Sequence, residues 1–130
     1  MKIIADSNAL FVPLQFKIDI FEELKRLLNR HFELVLLSSV RRELEKMVKS
    51  SSVKTAKQAS YALKLGEKCK LVETKAVSSD SVDDTIVQVA SEWNCPVFTN
   101  DRALRKRLRD INVPVIYVRQ KSHLEIDGRI

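Results

Sequence analysis

Asp6, Glu43, Asp83 and Asp101 are the side chains whose types and placement could do chemistry together. Asp6 directly follows the apolar run Ile3-Ile4-Ala5, and Asp101 closely follows Val97-Phe98-Thr99, so both stand where strands are expected to end. In open α/β sheets that is the edge at which ligands bind. Glu43 and Asp83 lie near the starts of helical patterns that would leave the same edge. Carboxylates crowded into one pocket cannot all stay ionised without compensation, because each raises the pKa of its neighbours. A hard divalent cation supplies that compensation, and oxygen-only ligands select magnesium or manganese over zinc. Such an ion lowers the pKa of bound water and steadies charge on a phosphoryl oxygen. His31 and His123 are both isolated from these positions and read as surface or packing residues, so metal-activated water is the natural nucleophile.

Each acid also has a plainer use. Asp6 or Ser7 could cap the helical turn that follows. Glu43 could form a surface ion pair with Lys46, but it cannot close a capping box with Ser38 or Ser39, which look like the entry caps of its helix: the residues three positions after them are Arg41 and Arg42. Glu43 borders the Val40, Leu44, Met47 stripe, so it can reach a pocket beside the core. At about 100° per residue, Asp83 falls beside the stripe Val82, Ile86, Val89, Ala90 and Trp93, whereas Asp84 falls nearly opposite it. Asp83 is therefore the site candidate, and Asp84 is the better fit to a role at the helix start, with Asp80 as a further cap candidate. Asn100 or Asp101 could cap the next helix. Four separate caps, all on one sheet edge, would be a coincidence of placement.

The elements that must position these acids alternate. Lys2 to Ala5, Glu33 to Leu37, Lys70 to Val72, Pro96 to Thr99 and Pro114 to Val118 read as strands. Amphipathic helical patterns lie between them, including Phe21, Leu24, Leu27 and Leu28. Strands so separated join in parallel through right-handed crossovers, which predicts an α/β fold with helices on both faces of the sheet. A break is expected between Lys49 and Thr55, around Ser50-Ser51-Ser52, and a polar turn from Val77 to Ser81. The segment from 120 to 130 reads as a short edge strand or a tail.

With 130 residues and 45% hydrophobic content, residues 1–130 are expected to form one domain with a real core. The two glycines, Gly66 and Gly128, cannot build a phosphate-cradling glycine-rich loop. Cys69 and Cys95 lack the spacing of zinc ligands and read as buried free thiols of a reducing cytosol. No signal peptide or membrane span is expected, and a cytoplasmic location follows. A formal charge of +6 points toward a polyanionic partner.

The motifs Asp6-Ser7-Asn8, Glu43, Asp83 and Thr99-Asn100-Asp101 resemble, in order and spacing, those of the PIN-domain nuclease family, over roughly residues 2 to 118. Ser7 stands where threonine is commoner, and keeps the hydroxyl. The segment from Pro114 to Gln120, followed by Leu124-Glu125-Ile126, resembles the archaeal Fcf-type branch linked to ribosomal RNA processing. The resemblance implies a three-layer α/β/α sandwich with a mainly parallel sheet, Mg²⁺ or Mn²⁺, and endonucleolytic hydrolysis of RNA. It also implies metal ligation and catalysis by Asp6, Glu43, Asp83 and Asp101, with Asn8, Asp84, Thr99 and Asn100 orienting ligands or waters.

Two groups of cations are candidates for RNA phosphates: Arg102, Arg105, Lys106 and Arg109 on one helix face, and Arg41, Arg42 and Lys46, with Lys49, Lys54 and Lys57, around the expected break. A solvated charged face is the plainer reading of both. At 6% aromatic content a base-stacking platform is not expected. The readings in competition are an RNA-maturation endonuclease, a VapC-like toxin ribonuclease, and a non-catalytic PIN module that binds RNA or protein. The partners they imply are RNA, pre-ribosomal proteins or an antitoxin, and a second copy of the chain. An aspartyl-nucleophile phosphatase is disfavoured because Asn8, not a second aspartate, stands two residues after Asp6.

Overall fold

The structure, a computed structural model, describes residues 1–74 and 81–130. Its centre is a six-stranded sheet in the order β3-β2-β1-β4-β5-β6, made of β1 Lys2–Ala5, β2 Glu33–Leu37, β3 Lys70–Val72, β4 Val97–Phe98, β5 Val115–Arg119 and β6 His123–Asp127. Every pairing is parallel except β5 with β6. Helices cover both faces, giving the α/β/α sandwich expected from the alternation of patterns. Ile3, Ile4 and Ala5 in β1, and Leu34 to Leu37 in β2, are all buried, as strands covered on both faces must be.

The helices are α1 Val12–Phe16, α2 Ile20–Leu28, α3 Ser38–Val48, α4 Val53–Gly66, α5 Val82–Trp93 and α6 Arg102–Asp110, and a 3-10 turn at Ser7–Phe11 precedes α1. Their ends follow local chemistry. Asp19 caps α2 by accepting from the Glu22 amide, and Asn29 ends it in the left-handed region that asparagine tolerates. Ser81 and Asp84 close a reciprocal capping box at the start of α5. The break expected between Lys49 and Thr55 is present: α3 stops at Val48, and Ser52 caps α4 by accepting from the Thr55 amide. Of the polar turn expected from Val77 to Ser81, and of the cap candidate Asp80, only Ser81 lies within the described residues.

The strands expected to begin at Pro96 and Pro114 start one residue later, because proline has no amide for the ladder. Both prolines still contribute carbonyls, to the amides of Ile4 and Val97 respectively. The segment after 120 is a strand: β6 runs antiparallel along β5 from His123 to Asp127. Cys95 is buried and Cys69 half-buried; both are free, with burial pushing each thiol up to about 11. Among the described residues, no helix is long and apolar enough to cross a membrane.

β6 is anchored by fully buried Leu124, whose amide donates to Glu23 Oε1 of α2 at 3.3 Å. Leu124→Ala is expected to lower unfolding free energy by about 2–4 kcal/mol. Equilibrium urea unfolding checks this, and a loss below about 1 kcal/mol would mean that the strand is not seated as described.

Candidate active site

Strand order reverses on either side of β1, which lies between β2 and β4, and such a switch point leaves a crevice at the carboxyl ends of the strands. Asp6 is the first residue beyond β1 and is only 4% exposed. Its Oδ1 accepts from the Ser7 amide at 2.8 Å, capping the 3-10 turn. Its Oδ2 accepts from the Thr99 hydroxyl at 2.8 Å and from the Asn8 side-chain amide at 3.2 Å. Thr99 Oγ1 in turn accepts from the Asp101 amide at 3.1 Å, and Asn8 Oδ1 accepts from the Asn100 amide at 2.9 Å. Asn100 Oδ1 accepts from the Val118 amide on β5 at 2.9 Å. One polar lattice thus ties together the ends of β1, β4 and β5.

The other acids close on Asp6 from the helices. Burial pushes the Asp6 carboxyl up to about 6, and the charges of Asp83 and Glu43 push the same way, against hydrogen bonds from Thr99 and Ser7. Asp83 is raised by burial and by the charges of Asp101 and Glu43, offset in part by Arg107. The four carboxylates are therefore electrostatic neighbours. Asp101 uses Oδ1 to cap α6, accepting from the amides of Ala103 and Leu104 at 2.9 and 3.1 Å, which leaves Oδ2 for other partners. Glu43 and Asp83 have no hydrogen-bond or ion-pair partner among the described residues. Among those residues no three acidic, histidine or cysteine side chains are grouped closely enough to hold a metal ion as they stand. The donor set is nonetheless all carboxylate oxygen, and its raised carboxyls are those a hard divalent cation would return to the ionised form.

The structure brings Asp6, Glu43, Asp83, Asp101, Asn8, Thr99 and Asn100 to this edge and corrects several neighbours. Asp84 does not face the site: one oxygen completes the capping box with Ser81, and the other accepts from Arg107 at 2.9 Å. It holds Arg107, whose charge offsets part of the rise at Asp83, while its own charge adds to that rise. Ser38 is not a cap, since Leu37 occupies that position; its hydroxyl accepts from the Thr74 amide at 2.9 Å and joins α3 to the chain after β3. Ser39 is not a cap either, and its buried hydroxyl has no partner among the described residues. It lies one turn before Glu43, on the same helical face. No ion pair joins Glu43 to Lys46, while Arg41 pairs with Glu45 at 3.5 Å.

Besides Arg41, two more of the expected phosphate ligands are committed elsewhere. Arg105 and Arg109 bind the two carboxylate oxygens of Asp127 at 3.0 and 3.3 Å, and the Arg105 guanidinium lies 3.8 Å from the centre of the Tyr117 ring. They fasten β6 to α6. The helix periodicity that groups them with Arg102 and Lys106 carries no sign of Asp127, which lies 22 residues beyond Arg105. The residues missed from sequence are Tyr117, Arg119 and Lys121, which line a cavity beside Asn8 and Asn100; no spacing in the chain marks them.

A family description reading "PIN like domain" matches residues 3–121. The chain is 36% identical to Ribonuclease VapC4 of Methanocaldococcus jannaschii over 130 residues, 99% of this chain and 98% of the relative. It is 28% identical to Ribonuclease VapC9 of Archaeoglobus fulgidus, across 95% of this chain and 87% of that one. Among solved structures, the PIN domain endonuclease Utp24 superposes with a TM-score of 0.83 at 27% identity, covering 99% of this chain and 92% of the other. The VapBC2 structure from Rickettsia felis shares the fold, with a TM-score of 0.67 at 16% identity over 92% of this chain and 100% of that chain.

The raised Asp6 carboxyl has a consequence for stability. Below about pH 4 folded and unfolded chains both hold the proton; between about 4 and 6 the unfolded chain releases it first, so the folded state loses stability as pH rises. Above about pH 6 the full penalty, on the order of 3 kcal/mol, is present. With metals chelated, Asp6→Asn is expected to be more stable than the parent at pH 7.5, by up to that amount, with the difference vanishing near pH 4. Urea unfolding at both pH values tests it, and equal stability at pH 7.5 would contradict the burial argument.

Proposed function

Because the chain belongs to the PIN-like domain family, we propose that it is a divalent-metal-dependent endoribonuclease acting in the cytoplasm, with Asp6, Glu43, Asp83 and Asp101 holding the metal. The observation that carries this reading is the convergence of those acids at the carboxyl edge of the sheet, with the Asp6 carboxyl raised chiefly by burial and further by the charges of Asp83 and Glu43. The printed names of its relatives, Ribonuclease VapC4 and VapC9 and the PIN domain endonuclease Utp24, support it. A bound Mg²⁺ or Mn²⁺ ion would supply charge compensation for the carboxylates and Lewis acidity toward water and a phosphoryl oxygen.

The chain's own residues do the rest. Thr99 and Asn8 fix the Asp6 carboxylate through donated hydrogen bonds, so that its lone pairs keep one direction. The capping bonds to Oδ1 hold Asp101 in one rotamer and leave its second oxygen uncommitted among the described residues. Asp83 enters from the first turn of α5 and Glu43 from α3. The net reaction is attack of water at a phosphodiester phosphorus, with the leaving ribose oxygen taking up a proton.

Two biological settings fit. The near full-length match to Ribonuclease VapC4 favours a toxin paired with a small antitoxin, and the Utp24 superposition favours ribosomal RNA processing among pre-ribosomal proteins. The gene next to this one, and sequencing of RNA crosslinked to the protein in cells, separate them. A homodimer is compatible with either setting.

The catalytic test is direct. Asp83→Asn and Asp101→Asn are each expected to lower Mn²⁺-dependent cleavage of single-stranded RNA by on the order of a hundredfold or more. The fold should persist, because at position 101 asparagine caps a helix as well as aspartate, and the Asp83 side chain makes no hydrogen bond or ion pair among the described residues. Undiminished cleavage by the purified double variant would overturn the assignment.

A further inference from the structure

Beside the acids lies an open cavity of about 530 Å³ that none of the four site carboxylates lines; Asn8 and Asn100 form part of its wall. These are the residues that orient Asp6 and the start of α6, so the cavity opens directly off the acidic edge. Its far wall is the β5 end and the turn into β6, with Tyr117, Arg119 and Lys121, and Arg102 stands at the mouth from the first position of α6. Among the described residues, no acidic side chain lines it.

Its cations differ in availability. Arg105 is spent on Asp127 and Tyr117, and Arg119 on Glu125 at 2.9 Å. Arg102 and Lys121 are exposed and have no ion-pair partner among the described residues. Lys121 is aimed by a tight turn in which Gln120 and Lys121 both take positive φ, 54° and 56°, a geometry that usually recruits asparagine and glycine. Half-buried Phe16 adds an apolar surface to the lining.

A cluster of carboxylates repels a polyanion, so the free energy of holding RNA must come from cations near the site that do not pair with its acids. Arg102 and Lys121 meet that condition. We propose that this groove is the track of the RNA strand beside the cleaved phosphate, with Arg102 and Lys121 on the phosphates of the adjoining nucleotides and Phe16 against a base or ribose. The volume suits about one or two nucleotides of single strand. This assignment rests on the ribonuclease reading, and it moves phosphate binding from Arg105 and Arg109 to the turn between β5 and β6.

The test is binding of a fluorescein-labelled oligouridylate, about a dozen nucleotides long, by fluorescence anisotropy in the non-cleaving Asp83→Asn background, alongside cleavage in Mn²⁺. Arg102→Ala with Lys121→Ala is expected to weaken binding by on the order of tenfold or more and to lower the slope of log affinity against log salt by about one to two. In the cleaving protein the same pair raises KM, with kcat at saturation changing by less than about threefold. A charge-matched control, Lys25→Ala with Lys64→Ala on the exposed faces of α2 and α4, should leave affinity unchanged. Unchanged affinity in the groove variant, or an equal loss in the control, overturns the proposal. If the groove variant loses binding while the parent chain cuts no RNA, the groove stands and the nuclease reading falls; cleavage with unaltered binding gives the reverse.

Discussion

The structure turns on the burial of one carboxylate. Asp6 sits at the switch point of the sheet, almost without solvent, where water cannot compensate its charge. Hydrogen bonds from the Ser7 amide, the Thr99 hydroxyl and the Asn8 amide compensate only in part, and the carboxyl remains raised to about 6. The rest of the edge is organised around that residual cost. Thr99 and Asn8, once bound to Asp6, receive the amides of Asp101 and Asn100, so the first acid also sets the backbone at the last. A site held this rigidly is unfavourable by itself, and a bound cation would offset that cost.

The positive charge of the chain is partitioned accordingly. Some cations are structural: Arg105 and Arg109 clamp Asp127, and Arg107 is held by Asp84. These bridges join α6 to β6 and to the start of α5, and so brace the elements that carry Asp101 and Asp83. Others, such as Arg102 and Lys121, remain exposed on the cavity that Asn8 and Asn100 line, with no ion-pair partner among the described residues. A net charge of +6 therefore says less about RNA than the distinction between paired and available cations.

Much of this was legible in the chain itself. Alternating apolar runs and amphipathic stripes specify parallel strands joined by helices, and the observed strand starts differ from expectation only where proline lacks an amide. The helical wheel separates Asp83 from Asp84 because a 100° step decides which carboxylate borders the buried Ile86 and Ala90 and which is left to cap the helix. Ser38 misled for a definite reason. A serine before an apolar stripe has the local signature of a cap, but its hydroxyl is taken by Thr74, a residue brought near by β3.

What the sequence determined by itself was therefore periodic or local: the α/β class, the break before α4, the acids at strand ends and helix starts, and the family motifs they compose. Tertiary structure alone decided which side chains spend their charge on each other. The Asp127 clamp, the Thr99 bridge to Asp6 and the placing of Lys121 beside Asn8 and Asn100 join residues from separate strands and helices. Their contacts depend on sheet order and on the β5–β6 turn, and no spacing along the chain encodes those distances. The acidic pocket was visible as a set of positions; its burial, its lattice of donors and its basic flank exist only once the sheet has formed.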